Sequence, residues 1–191
     1  MIRGGGGNVP HDESNSSNSH GSLLKSLLGI WGVLQVVAII GNALKRVIPI
    51  ALQPFSSDVP LSGFQWVSYG LWTVYMMYAE GYKAFQLKFS PLVVKRAFGL
   101  SENLNALNFL LAGPYAMGFF GATKKRMIVS WSVSVGVASI VAVVKKLGYP
   151  YRSIIDGGVV AGLTYGTLSI LILTVNALRG NVPHVNPELP Q

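Results

Sequence analysis

Long apolar blocks, each close to a basic cluster, limit what this chain can fold into more than any other feature of its sequence. A helix needs about 20 apolar residues to cross the hydrocarbon core of a bilayer, which is about 30 Å thick. Five blocks reach or approach that length, and they cover residues 23–44, 64–84, 104–120, 127–144 and 156–178. The sequence therefore predicts an all-α fold, a polytopic membrane helix bundle with about five transmembrane helices.

The composition and the placement of charge favour lipid as the environment of these blocks. Half of the residues are hydrophobic and only 12% are charged, against about 25% in ordinary soluble domains. The net charge is +8, but the basic residues lie in short clusters after apolar blocks, namely Lys45/Arg46, Lys95/Arg96, Lys124–Arg126 and Lys145/Lys146. Such clusters anchor spans and bind anionic lipid headgroups. We expect the lipid bilayer with its anionic headgroups as partner, and no nucleic acid.

The chain offers little material for catalysis or metal binding. It has no cysteine and seven acidic residues, and its three histidines, His11, His20 and His184, lie outside the apolar blocks. Thiolate ligands and a cysteine nucleophile are therefore excluded. No P-loop, zinc-protease helix or nucleophile elbow is present. We predict no catalytic residue, no metal site and no cofactor, and hence a protein that is not an enzyme.

Two polar tails are predicted on either side of a membrane domain that covers residues 23–178. Residues 1–22 are rich in Gly, Ser and Asn and are expected to be disordered. Their single arginine and two acidic residues are unlike the composition of a transit peptide. Residues 179–191 contain three prolines and form the second tail.

A short helix is predicted after the second block, over residues 91–98. Ser90 and Pro91 are typical of a helix start. The apolar side chains of this helix share one face, whereas Lys95 and Arg96 point to the other. This pattern is typical of a helix that rests on the membrane surface.

The sequence does not decide whether the block at 104–120 crosses the membrane. The block is only just long enough to cross and contains Asn105, Asn108 and the pair Gly113-Pro114. We expect a kinked full crossing, with a re-entrant segment as the alternative. A crossing puts the two termini on opposite sides of the bilayer, and a re-entrant segment puts them on the same side.

Two stripes of small residues mark helix faces that a neighbouring helix can approach closely. The fourth block has small residues at every fourth position, and the fifth has a doubled Gly-x-x-x-Gly pattern. The predicted packing residues are Ser130, Ser134 and Ala138 in the fourth block and Gly158, Gly162 and Gly166 in the fifth. We predict that the fourth and fifth spans pack against each other through these stripes.

Glu80 is the strongest candidate for a functional residue, because a carboxylate inside a bilayer is costly. It lies near the end of its block, and on a helical period it shares a face with Lys83, while an aromatic face that includes Phe85 lies opposite. An interfacial ion pair with Lys83, a contact with a partner or pigment, and transport are the three interpretations. The predicted partner or lipid contacts are Glu80, Lys83, Tyr75, Tyr78, Tyr82, Lys95 and Arg96.

Two runs of sequence resemble multi-pass membrane proteins of chloroplasts and cyanobacteria. The first is YAEGYKAFQLKFSPLVVKRAF, with Glu80-Gly81, Phe85-Gln86, Phe89-Ser90-Pro91 and Lys95-Arg96, and the second is YRSIIDGGVVAGLTYG. The resemblance implies an integral membrane protein in a plastid membrane, and it brings no defined reaction.

These observations favour a non-enzymatic integral membrane protein, a subunit or assembly partner of a larger membrane complex with other membrane subunits. The Glu80 region is its expected contact. A small-solute or ion transporter that uses Glu80 is the alternative, and a lipid-modifying membrane enzyme comes third.

Overall fold

The computed structural model describes residues 13–56, 58–103 and 105–186 of the chain. The regular elements of these residues are all helices, which confirms the all-α prediction. They are α1 (Glu13–Ala51), α2 (Gln53–Ser56), α3 (Gly63–Met76), α4 (Ser90–Phe98), α5 (Ala106–Leu110), α6 (Ala112–Ala116), α7 (Lys124–Val144) and α8 (Tyr151–Leu178). A π-helix, the π segment (Met77–Phe89), joins α3 to α4, and a 3-10 turn (Leu100–Asn103) follows α4.

Three of the described helices are long and apolar enough to cross a membrane. They are Gly21–Ala51 within α1, α7 and α8, with mean hydropathies of 2.1, 2.2 and 1.8. The predicted spans at 23–44, 127–144 and 156–178 lie inside them. This arrangement is compatible with an integral membrane location.

Helix α1 begins earlier than the predicted first span. Residues 13–22, which we assigned to the polar tail, are helical, because extending an existing helix adds one hydrogen bond for each residue fixed. Residues 1–12 and 187–191 of the two predicted tails lie outside the described residues.

α3, the π segment and α4 form one continuous helical rod from Gly63 to Phe98. The rod begins at a capping box, in which the Ser62 hydroxyl accepts from the Gln65 backbone and the Gln65 side chain accepts from the Ser62 backbone. It runs antiparallel to α1, since the Tyr69 hydroxyl donates to the Ala51 carbonyl and Phe98 lies against Gly29. The second block therefore continues well past its predicted end at residue 84.

The two ends of the bundle have different contents. We call one end the loop end, because it holds the connections at 52–62 and 145–150. The other is the terminal end, where the apolar part of α1 begins and where α4 and α8 end. α8 runs from the loop end to the terminal end, parallel to the rod, and packs along both α1 and the rod.

The π segment changes which residues of the rod share a face. A π-helix bonds each residue to the fifth one along, so neighbours on one face are four and five positions apart instead of three and four. Glu80 and Phe85, which we predicted on opposite faces, therefore both face α8. Lys83 leaves the Glu80 face, and its ammonium lies 5.1 Å from the centre of the Tyr78 ring. The predicted ion pair between Glu80 and Lys83 is not formed.

α4 is part of the protein core, unlike the surface helix predicted at 91–98. Its residues Leu92, Val93, Val94 and Ala97 are fully buried, and Arg96 is only 3% exposed. The prediction that Arg96 points away from the apolar face is wrong, because carbonyl groups of the following segment surround its guanidinium. The core cluster joins α1, α4, α6 and α8 through Val33, Val36, Ile40, Val93, Val94, Ala97, Ala116, Ile170 and Ala177.

The third block enters the bundle from the terminal end and returns to it. Lys25, near the start of α1, lies 3.9 Å from Glu102, and further along α1 the Gln35 side chain contacts Leu110. The chain then bends at Leu111, and α6 leads back toward Leu28 through Tyr115. The block thus consists of two helices of five residues each. It is not the kinked full crossing that we expected.

α7 stands apart from the other long helices. Only 6% of the residues in its most apolar stretch are buried, against 33% in α1 and α8. Its first turns contact α6, through the Ser130 hydroxyl, which donates to the Met117 carbonyl at 2.8 Å. Ala138 is exposed. The prediction that the small-residue stripes of α7 and α8 pack together is therefore wrong.

Candidate functional site

The glycine stripe of α8 packs against the rod. A Cβ atom at Gly158 would lie 2.6 Å from the Trp72 ring, and one at Gly162 would lie 2.7 Å from Glu80 Oε2. Gly166 lies directly against the Phe85 ring. The stripe is therefore a helix-packing surface, as predicted, with the rod as its partner because only hydrogen leaves room for the large side chains of the rod.

Glu80 lies at mid-depth in the bundle. It follows α3 early in the π segment and faces Gly162, near the middle of α8. Its Oε2 atom is buried and accepts no hydrogen bond. We expected this carboxylate near the end of a span, but the rod continues through α4, which places it between the two ends of the bundle.

Polar groups above and below Glu80 belong to the same contact between the rod and α8. The Tyr165 hydroxyl donates to Gln86 Oε1, and Trp72 Nε1 donates to the Ile155 carbonyl at 3.2 Å. The Thr73 hydroxyl is buried and makes no hydrogen bond. A buried carboxylate with a free oxygen can take up a proton or a small cation. Sequence reasoning missed Tyr165 and Gln86, since no spacing links them along the chain.

Gln35 holds the break between α5 and α6. Its amide Nε2 donates to the Leu110 carbonyl at 3.2 Å, and its Oε1 accepts from the Gly113 backbone at 2.9 Å. The Trp31 indole donates to the Phe109 carbonyl at 2.9 Å. These bonds satisfy backbone groups that the broken helix leaves without partners. α1 thus supplies the side chains that allow the third block to turn inside the bundle.

Arg96 binds the end of the third block, at residues 115–121, on the side away from Gln35. Its guanidinium donates to the carbonyls of Tyr115 and Gly121, both at 2.9 Å, and to that of Phe120 at 3.2 Å. Its Cζ atom lies 4.6 Å from the centre of the Tyr115 ring. Gly121 has a φ of 62°, a conformation that favours glycine and turns its carbonyl toward the guanidinium. Arg96 is therefore a structural centre of the bundle.

Four more of the predicted contact residues lie on the outside of the rod, whereas Lys95 is half-buried in α4. Tyr75, Tyr78 and Tyr82 are 57%, 53% and 38% exposed, and Lys83 is exposed beside them. Part of this surface forms an open apolar groove of about 850 Å³ between the rod, α7 and the start of α8. Its lining includes Leu71, Trp72, Tyr75, Ile140, Val144 and Ile154. The predicted contact residue Tyr75 thus lines an apolar groove.

Metal binding finds no support in the part of the chain that the structure describes. No three His, Asp or Glu side chains there come close enough together to hold an ion.

The fold and the Glu80 site together define an all-helical protein with helices of membrane-spanning length. Comparisons with protein-family models, curated proteins and solved structures gave no match. The plastid location implied by the resemblance stays a prediction.

Proposed function

We propose that the protein is a non-enzymatic integral membrane protein, a subunit or assembly partner of a larger membrane complex, and that α7 is its contact helix. The observation that carries this proposal is the exposure of α7, which has membrane-spanning length but buries almost none of its apolar residues within the chain. Glu80, our first candidate for the contact, faces α8 and is covered by it.

The two sides of α7 support the same conclusion. Ile140 and Val144 face the groove beside the rod. Ser134 and Ala138 belong to the stripe on the other side, and a small-residue stripe is the usual surface on which transmembrane helices meet. The occupant that fits is a single transmembrane helix of another subunit, because small residues on one helix let a neighbouring helix approach closely.

We also propose a topology of four crossings, by α1, the rod, α7 and α8. In support, consecutive members of this series run in opposite directions between the terminal end and the loop end. The third block, which lies between the rod and α7, leaves the terminal end and returns to it. Both termini then lie on the same side of the bilayer.

Ala138→Leu should release the protein from its complex. The larger side chain fills the space that a partner helix needs, so we expect about tenfold less of the tagged protein to comigrate with other membrane polypeptides on native gels in mild detergent. Ser132→Leu is the matched control, because Ser132 is equally exposed on α7 but lies off the stripe. Comigration that survives Ala138→Leu, or a wild-type protein that runs as a solitary monomer, would contradict the proposal.

Transport of protons or small cations is the second candidate, and the free buried oxygen of Glu80 favours it. In proteoliposomes with a pH-sensitive dye inside, the wild type should dissipate an imposed proton gradient. Glu80→Gln should slow this flux about tenfold or more, because the amide cannot exchange a proton. Glu102→Gln, at an exposed carboxylate, should leave the flux unchanged. Equal rates for wild type and Glu80→Gln would remove this candidate.

A further inference from the structure

A cavity of about 430 Å³ opens at the terminal end, between α1, the end of α4 and the end of α8. One part of its wall is polar, with Lys25, Lys95, Arg96 and Glu102, and another part is apolar, with Phe98 and Val182. α7, the groove and Glu80 do not contribute to it. The cavity is therefore a second site, separate from the contact helix and from the buried carboxylate.

The wall of this cavity carries more positive than negative charge. Three basic side chains line it against one carboxylate. That carboxylate, Glu102, lies 3.9 Å from Lys25, and both side chains are more than half exposed, so their attraction is weak. Lys95 forms no ion pair within the described chain. The wall therefore carries positive charge that can bind an anion.

One of the three basic side chains of the wall, Arg96, has a second buried guanidinium, that of Arg126, in its neighbourhood. Arg96 is 3% exposed and Arg126 is 8% exposed, and the two are close enough to influence each other electrostatically. Arg126 Nε is buried and donates no hydrogen bond. Two neighbouring guanidinium groups with little access to water maintain a positive potential that solvent screens only weakly. This potential favours a ligand with a fixed negative charge.

The depth of the cavity indicates which anion would reach it. It lies where the apolar part of α1 begins and beside Ala177, in the last turn of α8. This is the headgroup level of a bilayer that the helices cross. Basic pockets between helices at this level suit phosphate groups of anionic lipids. The apolar wall then lies toward the hydrocarbon, where acyl chains begin.

We propose that this cavity binds the phosphate headgroup of an anionic phospholipid, with Lys25 and Lys95 as its ligands and Arg96 as a buried source of charge. The bound lipid joins the start of α1 to the ends of α4 and α8. The proposal is independent of the function assigned to α7, since none of the α7 residues assigned to the partner contact lines the cavity.

Native mass spectrometry of the full-length protein in a neutral detergent tests the site, with phosphatidylglycerol and phosphatidylcholine as probes. The wild type should bind one phosphatidylglycerol in preference to phosphatidylcholine. Lys25→Gln with Lys95→Gln should weaken that binding about 30-fold, from the loss of two basic groups near the lipid surface. Lys145→Gln with Lys146→Gln, which removes the same charge at the loop end, should leave it unchanged.

Equal binding of phosphatidylglycerol by the wild type and the Lys25/Lys95 variant would overturn the proposal. Inorganic phosphate that occupies the site and excludes the lipid at the same concentration would also overturn it, because the ligand would then be a free anion. Both lysines are partly or fully exposed, so circular dichroism should show an unchanged fold. Lys95→Gln alone gives a second, milder variant, which should bind with intermediate affinity.

Discussion

Gly162→Leu should largely abolish the folded protein in mild detergent. A Cβ atom at this position would lie 2.7 Å from Glu80 Oε2 and 3.1 Å from Glu80 Cβ, so a leucine forces α8 away from the rod. Overpacking of this kind costs about 1–3 kcal/mol and occasionally more. We expect the free energy of unfolding to fall by about 3 kcal/mol or more, because a buried carboxylate must move as well. Monodisperse yield and thermal unfolding measure the effect.

Gly136→Leu is the matched control for this variant. Gly136 lies in α7, and nothing comes within 4 Å of an added Cβ there, so the yield should stay close to that of the wild type. Combining Gly162→Leu with Glu80→Ala should restore part of the stability, since the shortened side chain makes room. A fully stable Gly162→Leu protein would show that α8 and the π segment do not touch at this point.

Arg96→Met should produce the second large loss of stability. The substitution keeps much of the apolar stem but leaves the carbonyls of Tyr115, Phe120 and Gly121 without their donor. An unsatisfied buried polar group costs about 1–3 kcal/mol, so we expect the free energy of unfolding to fall by about 3 kcal/mol or more. Urea or thermal unfolding in detergent, followed by circular dichroism, measures it.

Lys88→Met provides the comparison for Arg96→Met. Lys88 is a basic residue of the same rod but is exposed, and its replacement should change stability by a few tenths of a kcal/mol at most. Arg96→Lys should recover only a part of the loss, because an ammonium cannot reach three carbonyls with the geometry of a guanidinium. If Arg96→Met is as stable as Lys88→Met, the third block is not held by Arg96.

The sequence predicts the long helices well because their signal is local. Apolar blocks of span length form α1, α7 and α8, and the doubled glycine motif of α8 is indeed a packing surface. The partner of that surface was predicted wrongly, because small residues show that a close contact exists but not which helix makes it. The rod carries the matching large side chains, and nothing in their spacing assigns them to α8.

Other differences arise from tertiary contacts and from an unusual helix geometry. The π segment moves Lys83 off the face of Glu80, and an α-helical period cannot foresee that shift. Arg96 resembles a surface residue in a basic cluster until the carbonyls that surround it are known. The third block turns back because Gln35, far away in the chain, satisfies its broken helix. The re-entrant alternative was available from Gly113-Pro114, but the sequence could not decide it.

Cysteine accessibility in sealed vesicles tests the central claim, that the long helices cross a bilayer while the third block returns to its own side. The chain has no cysteine of its own, so single cysteines can be placed at Gly21, Ala122, Asn181, Asp58 and Gly148. A membrane-impermeant maleimide should label the first three from one side and the last two from the other. Labelling of Ala122 from the side opposite to Gly21, or of all five positions from the same side, would contradict the account.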